Sequence, residues 1–419
     1  MYIELVLAAI GIVVGLTIGY KNRANLLYIL FFVLPFIYLG QLKVIINIHF
    51  AHLFSYLCFI PLILLFALDL ITKKYKKDYF FIFAGVIGLY LFILTKYPFS
   101  YRPDKFGLIK DLTICITIFF YVIFNFNKIK PKILFLLTKI VIFIETYIAV
   151  NQYRGFSLTE IFPFIEIGVS QKIMEVGSFY RATGSIYDPN YYSLYMAILA
   201  ASLLFYTDKF SGKVFFFIAL AGITLSFSRM GIILMIILLI IYLSQRIRLK
   251  NVIVICTILS ITLTGMYVFN FFDNYHQYPL VNNILYRFET GGKFQLDVIH
   301  YYFKDIVNIS NLLFGLGFQN FEYVLAEQTG IFQVTHNQYI QMITDVGIIG
   351  LSPLLILIFI FIKKYKLKLL SKKNPFLFPF IIILFGNMFL LNTYEIYIYL
   401  FCGLYIGFII EKLNREVKS

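Results

Sequence analysis

Long apolar runs alternate with short polar clusters along almost the whole chain. The runs lie near 3–20, 24–40, 51–72, 79–95, 107–126, 133–151, 189–206, 214–228, 230–245, 251–272, 347–362, 375–393 and 395–410. A helix needs roughly 20 mostly apolar residues to cross a bilayer, so the pattern predicts an all-α, polytopic integral membrane protein with about 12–13 transmembrane helices. No basic segment followed by a small-residue cleavage site precedes the first run, so 3–20 is expected to be a retained span. Residues 1–419 then form one transmembrane domain interrupted by two segments too long to be turns, 152–188 and 273–346. Long loops of this kind usually carry function.

Charge orients this arrangement. Most of the 36 Lys and Arg residues fall at 21–23, 73–77, 128–132, 207–213, 246–250, 363–374 and 411–419. The positive-inside rule assigns these segments to the cytoplasm. The C-terminus is then inside, the N-terminus outside, and both long loops face the external side. The net charge of +15 is accounted for by topology: the basic residues are neither gathered on one domain nor interleaved with a nucleic-acid motif, and no nucleic-acid partner is expected.

Composition agrees. The chain is 61% hydrophobic and only 14% charged, against about a quarter charged in soluble domains. Its 33 Tyr and 48 Phe, with no Trp, suit interface anchoring and lipid contact and imply no cofactor. Cys58, Cys115, Cys256 and Cys402 all lie in apolar runs without CxxC spacing, which supports neither a disulfide framework nor a zinc site.

Three polar stretches stand out against this background. In "YRATGSIYDPNYYSLYMAI" (180–198), Asp188 followed by Pro189 is a helix-start signal that puts a helix N-terminus at the external face. Free N–H groups and the dipole there suit an anion, Gly184 lets the backbone bend close, and Arg181 adds a fork of donors matched to phosphate. The alternative is an ordinary capped loop. In "TLSFSRMGIILMIILLIIY" (224–242), Arg229 sits in a tight external hairpin, where a cation costs roughly 2.5–3.5 kcal/mol at a helix centre and marks a ligand or ion partner unless it snorkels to the interface. Glu145, the acid inside the sixth span, is expected to pair with one of these arginines.

The third stretch is "NLLFGLGFQNFEYVLAEQTGIFQVTHNQYIQMITDVGIIGLSPLLILI" (311–358). Gly315 and Gly317 predict a turn, not a phosphate loop, because no GxGxxG follows. His336 and Asn337 open a segment with apolar residues at Ile340, Ile343 and Val346, a helical spacing that ends at Gly347. His336 therefore sits at the mouth of the next span, where an imidazole can move a proton or, when protonated, add to an anion site. A single surface histidine can equally be incidental.

Taken together, "RATGSIYDPNYYS", "SFSRMG" and "FGLGFQNF…THNQYIQMITDVGIIGL" resemble the O-antigen polymerase and ligase superfamily in order and spacing, over roughly 180–410. The resemblance implies a metal-independent glycosyltransferase of the inner (cytoplasmic) membrane with its active site facing the periplasm. Its donor would be an oligosaccharide on undecaprenyl diphosphate, with the lipid tail in the bilayer. His336, Arg229 and Arg181 would carry catalysis, with His336 at the acceptor hydroxyl or the leaving diphosphate. Tyr187, Asn190, Asn337, Arg287 and Lys293 would bind substrate. Where the family often has an arginine early in the large loop, this chain has Lys293, a point charge and not a fork, and Arg287 is the alternative counterpart.

The expected function is a polymerase that joins lipid-linked repeat units into a surface polysaccharide, working beside a partner that sets chain length. A ligase that moves finished glycan to a lipid A core is the second possibility. A lipid-linked oligosaccharide flippase is the third, although a transporter should show internal repeats and polar midplane helices that the sequence lacks.

Overall fold

The computed structural model describes residues 2–245 and 308–416, less the short stretches 39–40, 43–47, 50–53, 73–76, 97–99, 101–104, 163–164, 167–173, 177–178, 187, 206–208, 331–334, 366–373 and 391–394. The expected span at 251–272 and the residues Tyr187, Arg287 and Lys293 lie outside the described residues.

Twelve principal helices are used below, in chain order: α1 Tyr2–Lys21, α2 Arg23–Val33, α3 Ile60–Thr72, α4 Lys77–Lys96, α5 Lys105–Asn125, α6 Pro131–Tyr153, α7 Pro189–Leu204, α8 Phe210–Leu225, α9 Arg229–Ser244, α10 Gln338–Tyr365, α11 Leu377–Gly386 and α12 Ile396–Glu416. The protein is all-α and polytopic. Four described helical segments are long and apolar enough to cross a membrane: Ser55–Thr72, Gly107–Lys128, Pro131–Tyr153 and Gln338–Tyr365. Seven shorter apolar helices of 10–17 residues accompany them. On α10, Ile356, Phe359 and Ile362 are 59%, 66% and 52% exposed, a stripe at helical spacing that water would penalise and lipid would not.

The chain forms two compact units. The first comprises Met1–Ile37, Ile48–Leu137 and Phe294–Ser419. Within it α5 packs on α12, α4 on α10, and α1 on α3. A buried ion pair between α2 and α3, with its hydrogen-bond partners, links α1, α2, α3 and α5. Arg23 donates through Nε and Nη2 to the two carboxylate oxygens of Asp69 at 3.3 and 3.2 Å, and through Nη1 to the Gly19 carbonyl at 2.7 Å. Asn125 Nδ2 reaches Asp69 at 3.5 Å, and the Tyr121 hydroxyl donates to the Arg23 carbonyl at 3.2 Å. Two charges removed from solvent in this way are tolerated because nearly every donor and acceptor is used.

The second unit comprises Tyr38–Asn47 and Thr138–Lys293. Its centre is α7, packed against both α8 and α9. Tyr192 and Leu194 through Ala201 are at most 1% exposed on α7, so the helix is enclosed on every side. Gly231 permits the approach of α9, since a Cβ there would lie 2.7 Å from the Ser193 Cβ. Before α7 the chain makes two short antiparallel ladders, Gln41–Leu42 with Ile165–Glu166 and Met174–Val176 with Phe179–Arg181. A capping box of Ser157 and Glu160 starts the short helix Leu158–Ile161, and the Ser157 backbone N–H and hydroxyl hold the Glu160 carboxyl below the ordinary carboxylate range.

Candidate functional site

In the second unit, the segment 181–186 folds as a buried bridge between α6 and the turn that joins α8 to α9. Its underside is fixed by two polar residues of α6. The two carboxylate oxygens of Glu145 accept from the backbone N–H of Ser185, at 2.9 Å, and from the Ser185 hydroxyl. Gln152 clamps the next turn: its Oε1 accepts from the amides of Thr183 and Gly184, both at 2.9 Å, and its Nε2 donates to the Gly184 carbonyl at 2.9 Å. Gly184 has φ +58°, and a Cβ there would collide with the Glu145 carboxylate and the Tyr192 ring. The glycine expected to bend the backbone close does so, and what it approaches is Glu145.

The pairing of Glu145 with an arginine is therefore corrected. Ser185, 40 residues away, satisfies both of its oxygens, and sequence distance hides that partner.

The upper side of the bridge docks on the hairpin. Ala182 N donates to the Leu225 carbonyl at 3.0 Å, and Arg181 Nε donates to the Ser226 carbonyl at 3.1 Å. α8 and α9 are joined by only Ser226, Phe227 and Ser228, the tight hairpin expected around Arg229. Phe227 turns it with φ +48°. Ser228 caps α9 by accepting from Gly231 N at 3.2 Å, and donates its hydroxyl to Asn190 Oδ1 at 2.8 Å. Arg181, Asn190 and Arg229 are thus gathered around one short turn. Arg181 is 6% exposed and Arg229 is half-buried as the first residue of α9.

Asp188 caps α7 as expected, but this changes the electrostatics anticipated for the helix start. Its Oδ1 accepts from Asn190 N at 2.7 Å and Tyr191 N at 3.3 Å, and its carbonyl accepts from Tyr192 N at 2.9 Å. Those amides are not available to an external anion. A carboxylate cap consumes the donors that a glycine-rich cap would leave open, so positive character here comes from the arginines.

In the first unit, His336 precedes α10 with φ +48° and is half-buried. Asn337 caps the helix: its Oδ1 accepts from Tyr339 N and Ile340 N at 3.0 and 3.1 Å, and its Nδ2 donates to the Met388 carbonyl at 3.1 Å. Gln338 N donates to the Asn387 carbonyl at 2.8 Å, which seats the start of α10 on the end of α11.

Gly347 breaks α10 with φ +66° and ψ −179°, where the helical spacing was expected to stop. The break frees carbonyls, and the Gly315–Gly317 turn fills them: Leu316 N donates to the Thr344 carbonyl at 2.6 Å and Gly317 N to the Asp345 carbonyl at 3.2 Å. A Cβ at Gly315 would strike the Asp345 carbonyl, and one at Gly347 the Leu313 carbonyl. Two backbones meet here without side chains between them. Irregular backbone at membrane depth is tolerated where protein supplies its hydrogen bonds. Beneath the half-helix 338–346 lies an apolar cavity of about 220 Å³, lined by Tyr90, Ile116, Phe119 and Met342, with Gln338 and Asp345 as polar groups in its wall.

The sequence did not single out Gln152, Ser185, Ser228, Thr335 or Gln341. For Gln152, Ser185 and Ser228 the one available signal was a polar residue beside or within a membrane-length apolar run, where such groups need partners; Thr335 and Gln341 lie inside the long segment 273–346 and carried no such signal.

Among the described residues, three non-glycine residues have positive φ: Phe227, Gln319 and His336. They fall one in each of "SFSR", "GFQN" and "THNQ". Left-handed backbone costs an L-residue roughly 1–2 kcal/mol and persists where surrounding contacts enforce it, typically at functional sites. Two of the three stretches singled out by sequence, 224–242 and 311–358, thus carry this cost, and in the first, 180–198, the positive φ falls on Gly184.

No curated protein matches the chain. Residues 214–355, about a third of it and extending from α8 into α10, match the family model described as O-antigen ligase, which supports the superfamily likeness of this multi-pass membrane protein.

Proposed function

We propose that the protein is a membrane glycosyltransferase whose donor is an oligosaccharide on undecaprenyl diphosphate, and that it polymerises repeat units into a surface polysaccharide at the periplasmic face of the inner membrane. What chiefly supports this is the coincidence of strained backbone with two of the three motif stretches, at "SFSR", "GFQN" and "THNQ", of which "SFSR" contains Arg229 and "THNQ" contains His336.

In the proposed reaction an acceptor hydroxyl attacks the anomeric carbon of the donor glycan. The bond from that carbon to the diphosphate oxygen breaks as the new glycosidic bond forms. His336 takes the hydroxyl proton, and the diphosphate departs with its charge held by Arg181 and Arg229, whose planar forks suit phosphate oxygens. Diphosphate is already a good leaving group, so the help is needed at the hydroxyl. Tyr187, Asn190, Asn337, Arg287 and Lys293 are the proposed substrate contacts.

A second reading is favoured by the description of the matched family: a ligase that transfers finished glycan to a lipid A core. A strain lacking the protein separates them. Surface lipid capped by single repeat units supports the polymerase, polymer left on its lipid carrier supports the ligase, and unreacted lipid-linked units confined to the cytoplasmic leaflet would identify a flippase and overturn both.

A further inference from the structure

Thr335, Gln341 and Asp345 form one buried hydrogen-bonded chain that brackets His336. Asp345 Oδ1 accepts from Gln341 Nε2 at 2.7 Å and from the backbone N–H of Gln319 at 2.9 Å. A carboxylate accepts only, so it draws the NH₂ end of the glutamine amide toward itself. The opposite end, Oε1, then faces Thr335, whose hydroxyl donates to it at 3.0 Å. The same Thr335 hydroxyl contacts residue 337 at both backbone groups: its oxygen accepts from Asn337 N at 3.4 Å, and it lies 3.2 Å from the Asn337 carbonyl as a second acceptor. His336 is therefore spanned by a side-chain bridge from residue 335 to residue 337.

The helix start does not need this bridge, because Asn337 already caps α10 and the Asn387 carbonyl takes the Gln338 amide. What remains for it to fix is His336 itself, held at φ +48°. Thr335, Gln341 and Asp345 are 2%, 4% and 5% exposed, so water does not compete for these bonds. Gln341 and Asp345 are four residues apart on the half-helix, the spacing at which a glutamine and an acid meet.

We infer that Gln341 is a positioning residue for His336, oriented by Asp345 and acting through the Thr335 hydroxyl. The inference rests on His336 being the residue at the acceptor hydroxyl.

The test exchanges the polarity of the Gln341–Asp345 bond. Gln341→Glu sets two acceptors against each other and breaks the chain. Adding Asp345→Asn restores it in reverse, since the new amide donates to the glutamate, keeps its own oxygen for the Gln319 amide, and leaves a glutamate oxygen facing Thr335. Thr335→Val, nearly the same shape without a hydroxyl, serves if Gln341→Glu does not fold. Two quantities are read on the purified full chain: the ¹⁵N resonances of His336, identified by their loss in His336→Gln, and glycosyl transfer from a synthetic polyprenyl-diphosphate-linked repeat unit. The expected result is that the single variants shift the His336 resonances and lower kcat about tenfold, the scale of one hydrogen bond. KM should stay within about twofold, and the double variant should recover both resonances and kcat. Unmoved His336 resonances in Gln341→Glu or Thr335→Val, or a folded double variant without recovery, overturns the inference. Absence of transfer by the wild-type protein refutes the proposed function, while the resonances still decide the bridge.

Discussion

Arg181 Nε donates to the Ser226 carbonyl at 3.1 Å, and that carbonyl lies three residues before Arg229. The second link, from the Ser228 hydroxyl to Asn190 Oδ1 at 2.8 Å, ties the cap of α9 to the first turn of α7. One rigid turn therefore sets the placement of both arginines proposed to hold the diphosphate.

Arg229→Lys keeps a cation at the start of α9 but loses the planar fork. The variant should reach the membrane at wild-type abundance and lose most activity. Glycan length on whole cells checks this, and wild-type length with lysine would favour simple snorkelling.

Glu145→Ala leaves the Ser185 amide and hydroxyl without their acceptor in a buried site, at about 1–3 kcal/mol for each orphaned group. The bridge 181–186 should loosen, lowering thermal stability in detergent and weakening affinity for a lipid diphosphate. Glu145→Gln keeps one acceptor oxygen and should fall between. Equal stability of Glu145→Ala and wild type would remove Glu145 from its assigned role.

Gly347→Ala should fail to accumulate. Its Cβ would meet the Leu313 carbonyl and the Gly315 amide, and the required φ of +66° is itself unfavourable for alanine. Gly330 also has positive φ, but nothing lies within 4 Å of a Cβ there, so Gly330→Ala should bear only the backbone cost and remain folded. Comparing membrane yields of the two variants separates the close approach from backbone strain.

His336→Ala should lower turnover by about 100- to 10,000-fold if the imidazole is the general base, and His336→Gln should not restore it. Donor affinity should survive because the arginines remain. Equal loss of affinity and turnover would make His336 a diphosphate ligand.

The sequence showed the helices, the Asp188 cap and the break at Gly347 because each is a local signal: apolar length, an acid before proline, a glycine ending a helical spacing. It could not show that the Gly315–Gly317 turn fills the carbonyls freed near Gly347, since two glycines 32 residues apart carry no mark of mutual contact. The same holds for Glu145 with Ser185, and for Arg23 with Asp69, 46 residues on. Phe227, Gln319 and His336 escaped notice as left-handed positions because positive φ is uncommon for any residue other than glycine and no glycine marks these three positions. The open N–H groups inferred at α7 were misjudged for a simpler reason: the acid that announces the helix also occupies its first amides.

The most direct test of glycosyl transfer from a lipid diphosphate is made with the purified protein in vesicles given one synthetic polyprenyl-diphosphate-linked repeat unit, following glycan length and released polyprenyl diphosphate together. Each lengthening step should release one polyprenyl diphosphate, and Arg229→Lys and His336→Ala should reduce both signals in parallel. Movement of the intact lipid-linked unit across the vesicle membrane with neither lengthening nor release would contradict the account.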